Sequence, residues 1–433
     1  MIPEKLDRFL NNETRFDDRH YGLRNISALL GYFGDPHLRI PSFHIAGTNG
    51  KGSVAHMLNA IMIGAGYNTG LYTSPHLLEI HERIRLQNAA IDDRQFEVYI
   101  DEIARFVDAD GSIRPTYFDV LTVCAFRYFF DSHADCAVIE TGLGGRLDST
   151  NVIIPRCSII TDISFDHVGI LGNTLSAISR EKAGIIKDGV PLVTSNTDPE
   201  ILEPIITIAD HHGAPLYIFS RDFHAHNISE TDAGFKFDYS LHAEPPASIN
   251  TLEFHHPLEK QVANASCAAT AAVITRSDFP LVTDAAVRNG IYSFEAPGRF
   301  QTLCRNPLII FDPAHNESAL SEMVRLVIRR FSGRDATFVL SLMKDKEITS
   351  IMTMLSSLGM KAVYYILDDP RCYRPEPGAH PEVLIKIVDG DDSRLAAELD
   401  GYASDTSLFF FTGSFRLYRT ALNYAEHAGA KCT

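Results

Sequence analysis

The hydrophobic pattern near residue 50 predicts a strand, a glycine-rich loop and a helix. The strand is the short apolar run SFHIA at 42–46, and the loop GTNGKGS at 47–53 follows it directly. Beyond the loop, apolar residues recur every three or four positions, which is the period of an α-helix. The apolar positions of this helix are Val54, Met57, Leu58, Ile61, Met62 and Ala65.

The same alternation of strand and helix patterns continues to about residue 220. Short apolar runs typical of buried strands lie at 69–73, 135–140, 157–161, 191–195 and 215–219. Helical patterns lie between them, at 94–107, 117–131, 174–187 and 198–213. Thr174 is the expected cap of the third helix. Strands that alternate with helices in this way predict an α/β fold with a parallel sheet covered by helices.

The pattern changes after residue 220 and again after residue 295. Between about 220 and 260, short polar and apolar alternations predict a small antiparallel addition, and a helix of small residues follows at 264–275. The segment APGR at 296–299 predicts a hinge, because proline followed by glycine interrupts regular structure. Strands are then predicted at 308–312, 336–341, 362–367 and 407–412, with helices from about 317, after Lys346 and after the last strand. We therefore expect two domains, 1–295 and 296–433, the second a smaller α/β domain.

The composition limits the class of protein and its partners. A chain of 433 residues with 45% hydrophobic and 22% charged residues is an ordinary globular protein, too long for one typical core. The formal net charge of -16 at pH 7, with no basic run, disfavours nucleic acid as a partner. With no leader-like start and no apolar run long enough to cross a bilayer, we expect a cytoplasmic protein without a membrane partner. Seven cysteines without a CxxC pair favour reduced thiols and offer no zinc site.

The loop GTNGKGS is the strongest local signal for a ligand. A glycine turn that opens a helix directs backbone N–H groups and the helix dipole at phosphate oxygens, and Lys51 adds a point charge. The loop departs from the pattern GxxxxGK[ST], because Ile45 takes the place of the first glycine and the hydroxyl comes one residue late, at Ser53. A tight turn without a ligand is the alternative. Three glycines around one lysine between a strand and a helix favour a nucleotide site.

The roles of three further residues are not decided by the sequence pattern alone. Glu140 ends an apolar strand, so its carboxylate is expected at the carboxyl edge of the sheet, as a magnesium ligand or as a structural cap. His167 follows the next strand and is expected at the same edge, but magnesium prefers oxygen ligands. Lys182 lies on a largely apolar helix, where the usual interpretation is a surface lysine with a buried stem.

Eleven segments, in order along the chain, resemble the motif set of the folylpolyglutamate and dihydrofolate synthases, which belong to the Mur ligase group. The segments are GTNGKGS (47–53), TSPHL (73–77), ERI (82–84), TYFD (116–119), ETGLGGRLDSTN (140–151), DHVGILG (166–172), REKAGI (180–185), APGRF (296–300), DPAHN (312–316), DKE (345–347) and TGSF (412–415). The resemblance implies an N-terminal P-loop mononucleotide-binding domain like the central domain of Mur ligases. It also implies a smaller C-terminal Rossmann-like α/β domain that serves glutamate ligation.

The resemblance also implies roles for individual residues. The ATP contacts are Gly47, Thr48, Asn49, Gly50, Lys51, Gly52, Ser53, Asn264, Arg299 and Asp312. The magnesium ligands are Ser74, Glu140, His167 and a carbamate carried by Lys182. The folate contacts are Thr116, Tyr117, Phe118, Asp119, Leu147, Asp148 and Ser149, and more weakly YGLR at 21–24. The chain departs from the family at Asp119, where glutamate is common, and in DPAHNE, where DxAHNP is usual.

The reaction implied by the resemblance is the ATP-dependent addition of L-glutamate to the γ-carboxylate of tetrahydrofolate. ATP would convert the carboxylate to an acyl phosphate, which the glutamate amine attacks. Lys51, Lys182 and His315 are the implied catalytic residues, with His315 or a metal-bound carboxylate as the proton acceptor. The implied cofactors are ATP and two magnesium ions, and a K⁺ requirement stays open. The partners are small molecules, the protein is expected to be a monomer, and dihydropteroate as a second acceptor stays open.

Other functions remain as alternatives. A Mur-type ligase could act on another carboxylate, such as a cell-wall or polyamide substrate, although TYFD and Asp148 favour folate. A P-loop ATPase could use hydrolysis to drive motion, but no segment resembles an arginine finger. A non-catalytic binding protein is a third class, and the presence of Lys51, Glu140 and Lys182 disfavours it.

Overall fold

The computed structural model describes Leu6, Phe9 and residues 22–244, 246–404 and 406–431. The chain forms two compact units. The first unit contains Met1–Ser164 and Leu171–Glu295, and the second contains Phe165–Ile170 and Ala296–Thr433. The short segment Phe165–Ile170 therefore groups with the second unit, although the chain on both sides of it belongs to the first.

The first unit is built on a sheet whose strands are mostly parallel. Its strands are β1 (Ser42–Ala46), β2 (Thr69–Tyr72), β3 (Ile84–Leu86), β4 (Ala89–Ala90), β5 (Cys136–Glu140), β6 (Cys157–Ile160), β7 (Leu192–Thr194) and β8 (Leu216–Ile218). The strand order is β4-β3-β2-β5-β1-β6-β7-β8, and only β3 and β4 run antiparallel to their neighbours. Every residue of β1 and β5 is buried, as expected for central strands covered on both faces. The loops after the parallel strands share one edge of this sheet.

Helices cover both faces of the first sheet. They are α1 (Arg24–Tyr32), α2 (Lys51–Gly64), α3 (Asp93–Asp110), α4 (Tyr117–Asp131), α6 (Leu175–Ala183), α7 (Pro199–His211), α8 (Gln261–Ile274) and α9 (Asp284–Tyr292). The short helix α5 (Val168–Leu171) begins in the segment that groups with the second unit. One core cluster joins α3 and α4 to the sheet through Ile103, Val120 and Ile139. A second cluster joins α6 and α7 to the sheet through Ile178 and Ile205.

A separate three-stranded antiparallel sheet occupies the region after β8. Its strands are β9 (Phe223–Glu230), β10 (Phe235–Leu241) and β11 (Ala247–Phe254), in the order β11-β10-β9. Alternate residues of β10 are buried, because one face of this sheet packs on the unit and the other meets solvent. Tyr239 of β10 hydrogen-bonds Thr270 of α8 at 2.9 Å, so this sheet rests on the small-residue helix.

The second unit has its own sheet of six strands. They are β12 (Gln301–Arg305), β13 (Leu308–Asp312), β14 (Asp335–Leu340), β15 (Ala362–Ile366), β16 (Leu384–Asp389) and β17 (Ser407–Thr412). The order is β12-β13-β17-β14-β15-β16, and only β12 is antiparallel. The helices are α10 (Glu317–Arg330), α11 (Ile348–Ser357), α12 (Asp392–Asp400) and α13 (Tyr418–Lys431). The predicted α/β fold class is confirmed in both units.

The structure corrects several predicted elements. The helix expected over 174–187 begins after its cap Thr174 but ends at Ala183, because the chain turns at Gly184 and buries Ile185 and Ile186. The strands β12 and β16 were not predicted, and they are the two edges of the second sheet, where apolar and exposed residues mix. The helices α9 and α12 were also not predicted.

Two expectations from composition concern thiols and membranes. The six cysteines within the described residues form no disulfide, and all but Cys304 are buried. Burial raises the pKa of the Cys136 thiol to about 12, which keeps it protonated and unreactive. Within the described part of the chain, no helix combines the length and the hydropathy needed to cross a bilayer.

His44, in β1, is a fully buried titratable group. Its Nε2 lies 2.8 Å from Thr150 Oγ1, and burial, with a smaller effect of Lys187, lowers its pKa from 6.5 to about 3. Between these two pKa values the unfolded chain binds a proton that the folded chain does not, so folding stability falls as the pH falls. At about 1.4 kcal/mol per pKa unit, the loss from pH 7 to pH 5 is about 2 kcal/mol.

We expect His44→Gln to flatten this pH dependence. The free energy of unfolding of the wild type should decrease more between pH 7 and pH 5 than that of the variant, as measured by urea unfolding followed by circular dichroism. His211→Gln is the control, because His211 is exposed and should leave the difference unchanged. Equal pH dependence in the wild type and in His44→Gln would contradict the argument.

Candidate active site

The glycine loop after β1 has a backbone that only glycine fits at two positions. Gly47 has φ of 153°, and a Cβ there would lie 1.9 Å from Thr161 Oγ1. Gly50 has φ of 88°, and a Cβ there would lie 2.7 Å from Asn264 Oδ1. The loop therefore passes close to β6 and α8, and α2 begins directly after it, at Lys51. A helix N-terminus behind such a loop offers its N–H groups to an anion.

The loop after β6 holds the glycine loop in place. The backbone N–H groups of Thr48 and Asn49 donate to the carbonyl of Asp162 at 2.7 and 3.2 Å. Asn49 Nδ2 also donates to Asp162 Oδ2 at 3.1 Å. On the α8 side, Asn264 donates to Gln261, and Gln261 Nε2 donates to Ser53 Oγ at 3.1 Å. Asp162 and Gln261 were not predicted, and no motif in the sequence marks them.

Two lysines converge on one oxygen of the glycine loop. Lys51 Nζ donates to the Gly47 carbonyl at 3.0 Å, and Lys182 Nζ donates to the same carbonyl at 2.7 Å. Lys182 is only 3% exposed, so the interpretation of it as a surface lysine, based on its helix alone, is wrong. Two ammonium groups held this close repel each other, and an anion at the loop would offset the repulsion.

Glu140 and Ser74 lie beside the same loop. The backbone N–H of Ser74 donates to Glu140 Oε2 at 3.1 Å, and Glu140 is 3% exposed. The two carboxylate oxygens lie 3.8 and 3.9 Å from the position of a Cβ on Gly52. A buried carboxylate and a hydroxyl residue beside a phosphate-type loop supply the hard oxygen ligands that magnesium prefers, so this donor set fits that ion.

His167 lies in the segment grouped with the second unit. Its Nδ1 is 3.5 Å from Asp345 Oδ2, and burial lowers its pKa to about 4 although the charge of Asp166 acts in the opposite direction. The described side chains include no group of three His, Cys, Asp or Glu residues already placed to hold a metal ion. Of the four predicted magnesium ligands, Ser74, Glu140 and Lys182 lie in the first unit.

A hydrogen bond joins the two predicted folate segments, and further bonds fix each of them locally. Asp119 accepts from the backbone N–H of Thr116 at 2.8 Å and from Ser149 Oγ at 2.6 Å. Asp148 accepts from the backbone N–H groups of Leu143 and Thr150 at 2.8 and 3.0 Å. Burial raises the pKa of both carboxyl groups, although these hydrogen bonds act in the opposite direction.

These contacts divide the predicted folate residues into two kinds. Asp119, Asp148 and Ser149 are buried: the bond from Ser149 to Asp119 joins the two segments, and Asp148 fixes the shape of its own loop. Phe118 and Leu147 are half-buried, and the Phe118 ring lies against Gly142, where a Cβ would be 2.6 Å from it. Phe118 and Leu147 therefore keep side-chain surface that a ligand can contact. The weaker candidate YGLR begins at residue 21, which lies outside the described residues.

The second unit contains the remaining predicted residues. Asp312 ends β13 and accepts from the backbone N–H groups of Phe300 and Ala314, both at 2.9 Å. Burial raises the pKa of Asp312, and the charge of Arg299 opposes this. The Arg299 guanidinium lies over the Phe415 ring, 5.0 Å from its centroid.

Asp166 is the centre of a charged cluster in the same unit. Lys346 Nζ lies 2.7 Å from Asp166 Oδ1, and His315 Nε2 lies 3.5 Å from Asp166 Oδ2. Burial alone would raise the pKa of Asp166, but the hydrogen bond from His315 and the charges of His167, His315 and Lys346 bring it well below its usual value. Asp166 and Lys346 were not assigned roles from the sequence, although both fall within the recognised motif segments DHVGILG and DKE.

Comparison with known proteins shows the family. The model of the Mur ligase middle domain matches residues 45–272. The dihydrofolate synthase/folylpolyglutamate synthase of Bacillus subtilis is 34% identical over 356 residues, which are 81% of this chain and 82% of that protein. The chain belongs to this Mur ligase family of folylpolyglutamate and dihydrofolate synthases.

Further members of the family agree over most of the chain. The dihydrofolate synthase/folylpolyglutamate synthase of Escherichia coli is 34% identical over 381 residues, which are 86% of this chain and 84% of that protein. Among solved structures, the Mycobacterium tuberculosis folylpolyglutamate synthase complexed with ADP has a TM-score of 0.85 at 28% identity and covers 98% of both chains. The resemblance inferred from the eleven motifs is confirmed, and the chain is a ligase of this family.

In this member of the family, the predicted site residues fall into two groups. The first unit holds the glycine loop, Ser74, Glu140, Lys182, Asn264 and the two folate segments. The second unit holds His167, Arg299, Asp312 and His315. Within the first unit, direct contacts join the loop to Lys182 and join Glu140 to Ser74. Within the second unit, Asp166 joins His315 to Lys346.

Proposed function

We propose that the chain is an ATP- and magnesium-dependent ligase that adds L-glutamate to the γ-carboxylate of tetrahydrofolate through an acyl phosphate. One observation carries the proposal. Lys51 and Lys182 both point at the Gly47 carbonyl, beside the buried carboxylate of Glu140. The Lys51 ammonium and a helix N-terminus suit the phosphates of a nucleotide, and the carboxylate of Glu140 with Lys182 in its carbamate form suits the metal ion that accompanies it. Folylpolyglutamate synthase structures in complex with ADP and with AMPPCP support this choice of nucleotide.

The chemistry at the loop is charge stabilisation. A carboxylate needs activation before an amine can displace one of its oxygens, and phosphorylation by ATP supplies a leaving group. The loop N–H groups and Lys51 orient the phosphates and offset the negative charge that accumulates on the transferring group. Ser74, Glu140 and the carbamate form of Lys182, all in the first unit, would hold magnesium, which would add further charge stabilisation when bound.

The two folate segments support a folate as the substrate that receives glutamate. The link between Asp119 and Ser149 fixes the start of α4 against the loop after β5, and this leaves Phe118 and Leu147 half-buried. Aromatic and aliphatic side chains of this kind suit the flat ring of a pterin. A solved structure entitled FPGS-AMPPCP-folate complex has a TM-score of 0.81 to this chain at 27% identity, which supports a folate.

His315 is the proposed acceptor of the proton that the glutamate amine loses. Its Nδ1 is 2.8 Å from the Pro313 carbonyl, which can only accept, so Nδ1 carries a hydrogen and Nε2 is the basic nitrogen of the neutral ring. Asp166 Oδ2 is 3.5 Å from Nε2 and would stabilise the imidazolium after proton transfer. Asp166 therefore faces the nitrogen that takes the proton, and Nε2 can donate to it only in the protonated ring.

The test is ADP release by the purified protein with Mg-ATP. Tetrahydrofolate and dihydropteroate are assayed separately, each with and without L-glutamate. Release that requires both tetrahydrofolate and glutamate is the expected result. ADP release at the same rate with and without glutamate would contradict ligase activity and support the ATPase alternative.

Dihydropteroate is the second candidate acceptor. The relatives in Bacillus subtilis and Escherichia coli are named for both dihydrofolate and folylpolyglutamate synthesis. A relative in Lacticaseibacillus casei, 30% identical over 385 residues, is named only for folylpolyglutamate synthesis. The dihydropteroate arm of the same assay decides between one acceptor and two.

A further inference from the structure

Three histidines share the solvent-facing side of the small three-stranded sheet. His224 and His226 are two residues apart on β9, so their side chains point to the same side. On the neighbouring antiparallel strand β10, Ser240 is the register partner of His224, and His242 follows two residues later. The backbone N–H of His242 donates to the Asp222 carbonyl at 2.8 Å, so the strand pairing continues to that residue. The proposed ligase chemistry uses none of these histidines.

The three imidazole rings are close enough to share one ion. The ring centroids are 4.7 Å apart for His224 and His242, 5.6 Å for His224 and His226, and 6.4 Å for His226 and His242. Two imidazoles on one tetrahedral Zn²⁺, each with its nitrogen about 2 Å from the ion, have ring centroids about 5 Å apart. The three separations therefore lie around the value that a shared ion requires.

Two of the ring nitrogens are turned toward one oxygen. His226 Nε2 lies 2.8 Å from Ser240 Oγ, and His242 Nε2 lies 3.1 Å from the same oxygen. In the described part of the chain, no three His, Cys, Asp or Glu side chains surround a metal position as they stand, so the histidine rings must turn about their side-chain torsions to share an ion. His226 and His242 are exposed, so solvent leaves room for that rotation.

The charge around the three rings favours a cation. Asp238 is the register partner of His226, and the hydrogen bonds donated by Asn227 and by the backbone N–H of Thr251 lower the pKa of its carboxyl group. An ionised carboxylate therefore lies beside the histidines. The chain as a whole has a formal charge of -16, which also attracts cations. Neutral imidazole is a preferred ligand of zinc, copper and nickel ions.

We propose that His224, His226 and His242 bind one divalent transition-metal ion, such as Zn²⁺, through their imidazole nitrogens. Three protein ligands leave a further coordination position open to water. The bound ion would tie β9, an edge strand of its sheet, to β10. None of the three histidines is among the residues predicted to bind nucleotide, magnesium or folate. The metal site therefore does not depend on the proposed function.

The test titrates Zn²⁺ into tag-free, EDTA-treated, full-length protein and measures stoichiometry and Kd by calorimetry. The wild type is compared with His224→Gln, His226→Gln and His242→Gln, which remove one imidazole each and keep a polar side chain. His255→Gln is the matched control, because His255 follows β11 of the same sheet and is exposed, but its ring lies 4.7 Å from that of Tyr292. Any Zn²⁺ that binds elsewhere is common to all five proteins and cancels in the comparison.

We expect the Kd of one Zn²⁺ site to rise on the order of a hundredfold in each of the three variants. Changes to groups that only support a metal ligand already weaken metal binding about 10–100-fold, so the loss of a ligand should cost at least as much. His255→Gln should bind Zn²⁺ as the wild type does. Co²⁺ should give the wild type the strong visible absorption of a tetrahedral site, and His226→Gln should lose it.

Three results would overturn the site. The first is equal Zn²⁺ stoichiometry and Kd in the wild type and the three variants, the second is no Zn²⁺ binding by the wild type, and the third is an equal loss in His255→Gln. Thermal unfolding of the metal-free proteins identifies a folding defect, and His226→Gln and His242→Gln alter exposed side chains, so at least these two should unfold as the wild type does. Zn²⁺ should then stabilise the wild type more than either variant.

Discussion

Replacing Lys182 with alanine is expected to abolish glutamate ligation, with a loss on the order of a hundredfold or more. Lys182 is buried and its Nζ lies 2.7 Å from the Gly47 carbonyl, at the loop that we propose binds the phosphates. In its carbamate form the side chain would present anionic oxygen to magnesium in place of an ammonium. Alanine removes both forms, and it leaves Lys51 on the same carbonyl, so the loop should keep its shape.

The experiment separates the carbamate from a merely structural lysine. Ligation is measured in Lys182→Ala, alone and with added bicarbonate or a short carboxylate. Bicarbonate should not restore activity, because alanine has no amine to carbamylate, whereas a short carboxylate should restore a small part. Protein equilibrated with ¹³C-bicarbonate should show a carbamate carbon signal by NMR in the wild type and lose it in the variant.

Lys187→Ala is the control for position and charge. Lys187 lies five residues further along, and its Nζ donates to the Asn151 carbonyl at 3.1 Å, away from the glycine loop. This variant should keep both the carbamate signal and ligation. Full activity in Lys182→Ala would show that the carbamate idea is wrong.

The contrast between Lys182 and its helix shows what the sequence can and cannot predict. The helix pattern alone indicates a surface lysine, because nothing local shows that the oxygen it meets belongs to Gly47, 135 residues earlier in the chain. The resemblance to a family supplied the role that local pattern missed. Asp162 and Gln261 hold the loop through contacts that span 113 and 208 residues of the chain, and neither the pattern nor a motif marked them.

Strands were predictable where they are buried along their whole length. The runs at β1, β13 and β17 are apolar and almost wholly buried, so hydrophobicity alone marks them. The edge strands β12 and β16 have one partner strand each. β12 has only half-buried and exposed residues and β16 mixes buried with exposed ones, so their pattern resembles that of a loop. His224, His226 and His242 lie in segments without a motif, and only the structure brings their rings together.

Gly47→Ala is expected to unfold or severely distort the glycine loop and to remove nucleotide binding. The added Cβ would lie 1.9 Å from Thr161 Oγ1 and 3.2 Å from the Thr161 backbone nitrogen, and Thr161 is fully buried next to β6. Overpacking of this kind costs about 1–3 kcal/mol, in addition to about 1–2 kcal/mol for a side chain at positive φ. The measurements are the free energy of unfolding by urea and ADP binding by calorimetry.

Gly66→Ala isolates the backbone contribution to this loss. Gly66 has φ of 98°, and a Cβ there would meet nothing within 4 Å, so this variant should lose only the backbone cost and should bind ADP as the wild type does. Adding Thr161→Ala to Gly47→Ala removes the atom at 1.9 Å and leaves the nearest remaining atom at 3.0 Å, so part of the lost stability should return. If the double variant is as unstable as the sum of the single variants, the overlap with Thr161 is not the cause. If the double variant recovers both stability and ADP binding, the close approach of Gly47 to Thr161 also determines the shape of the phosphate-binding loop.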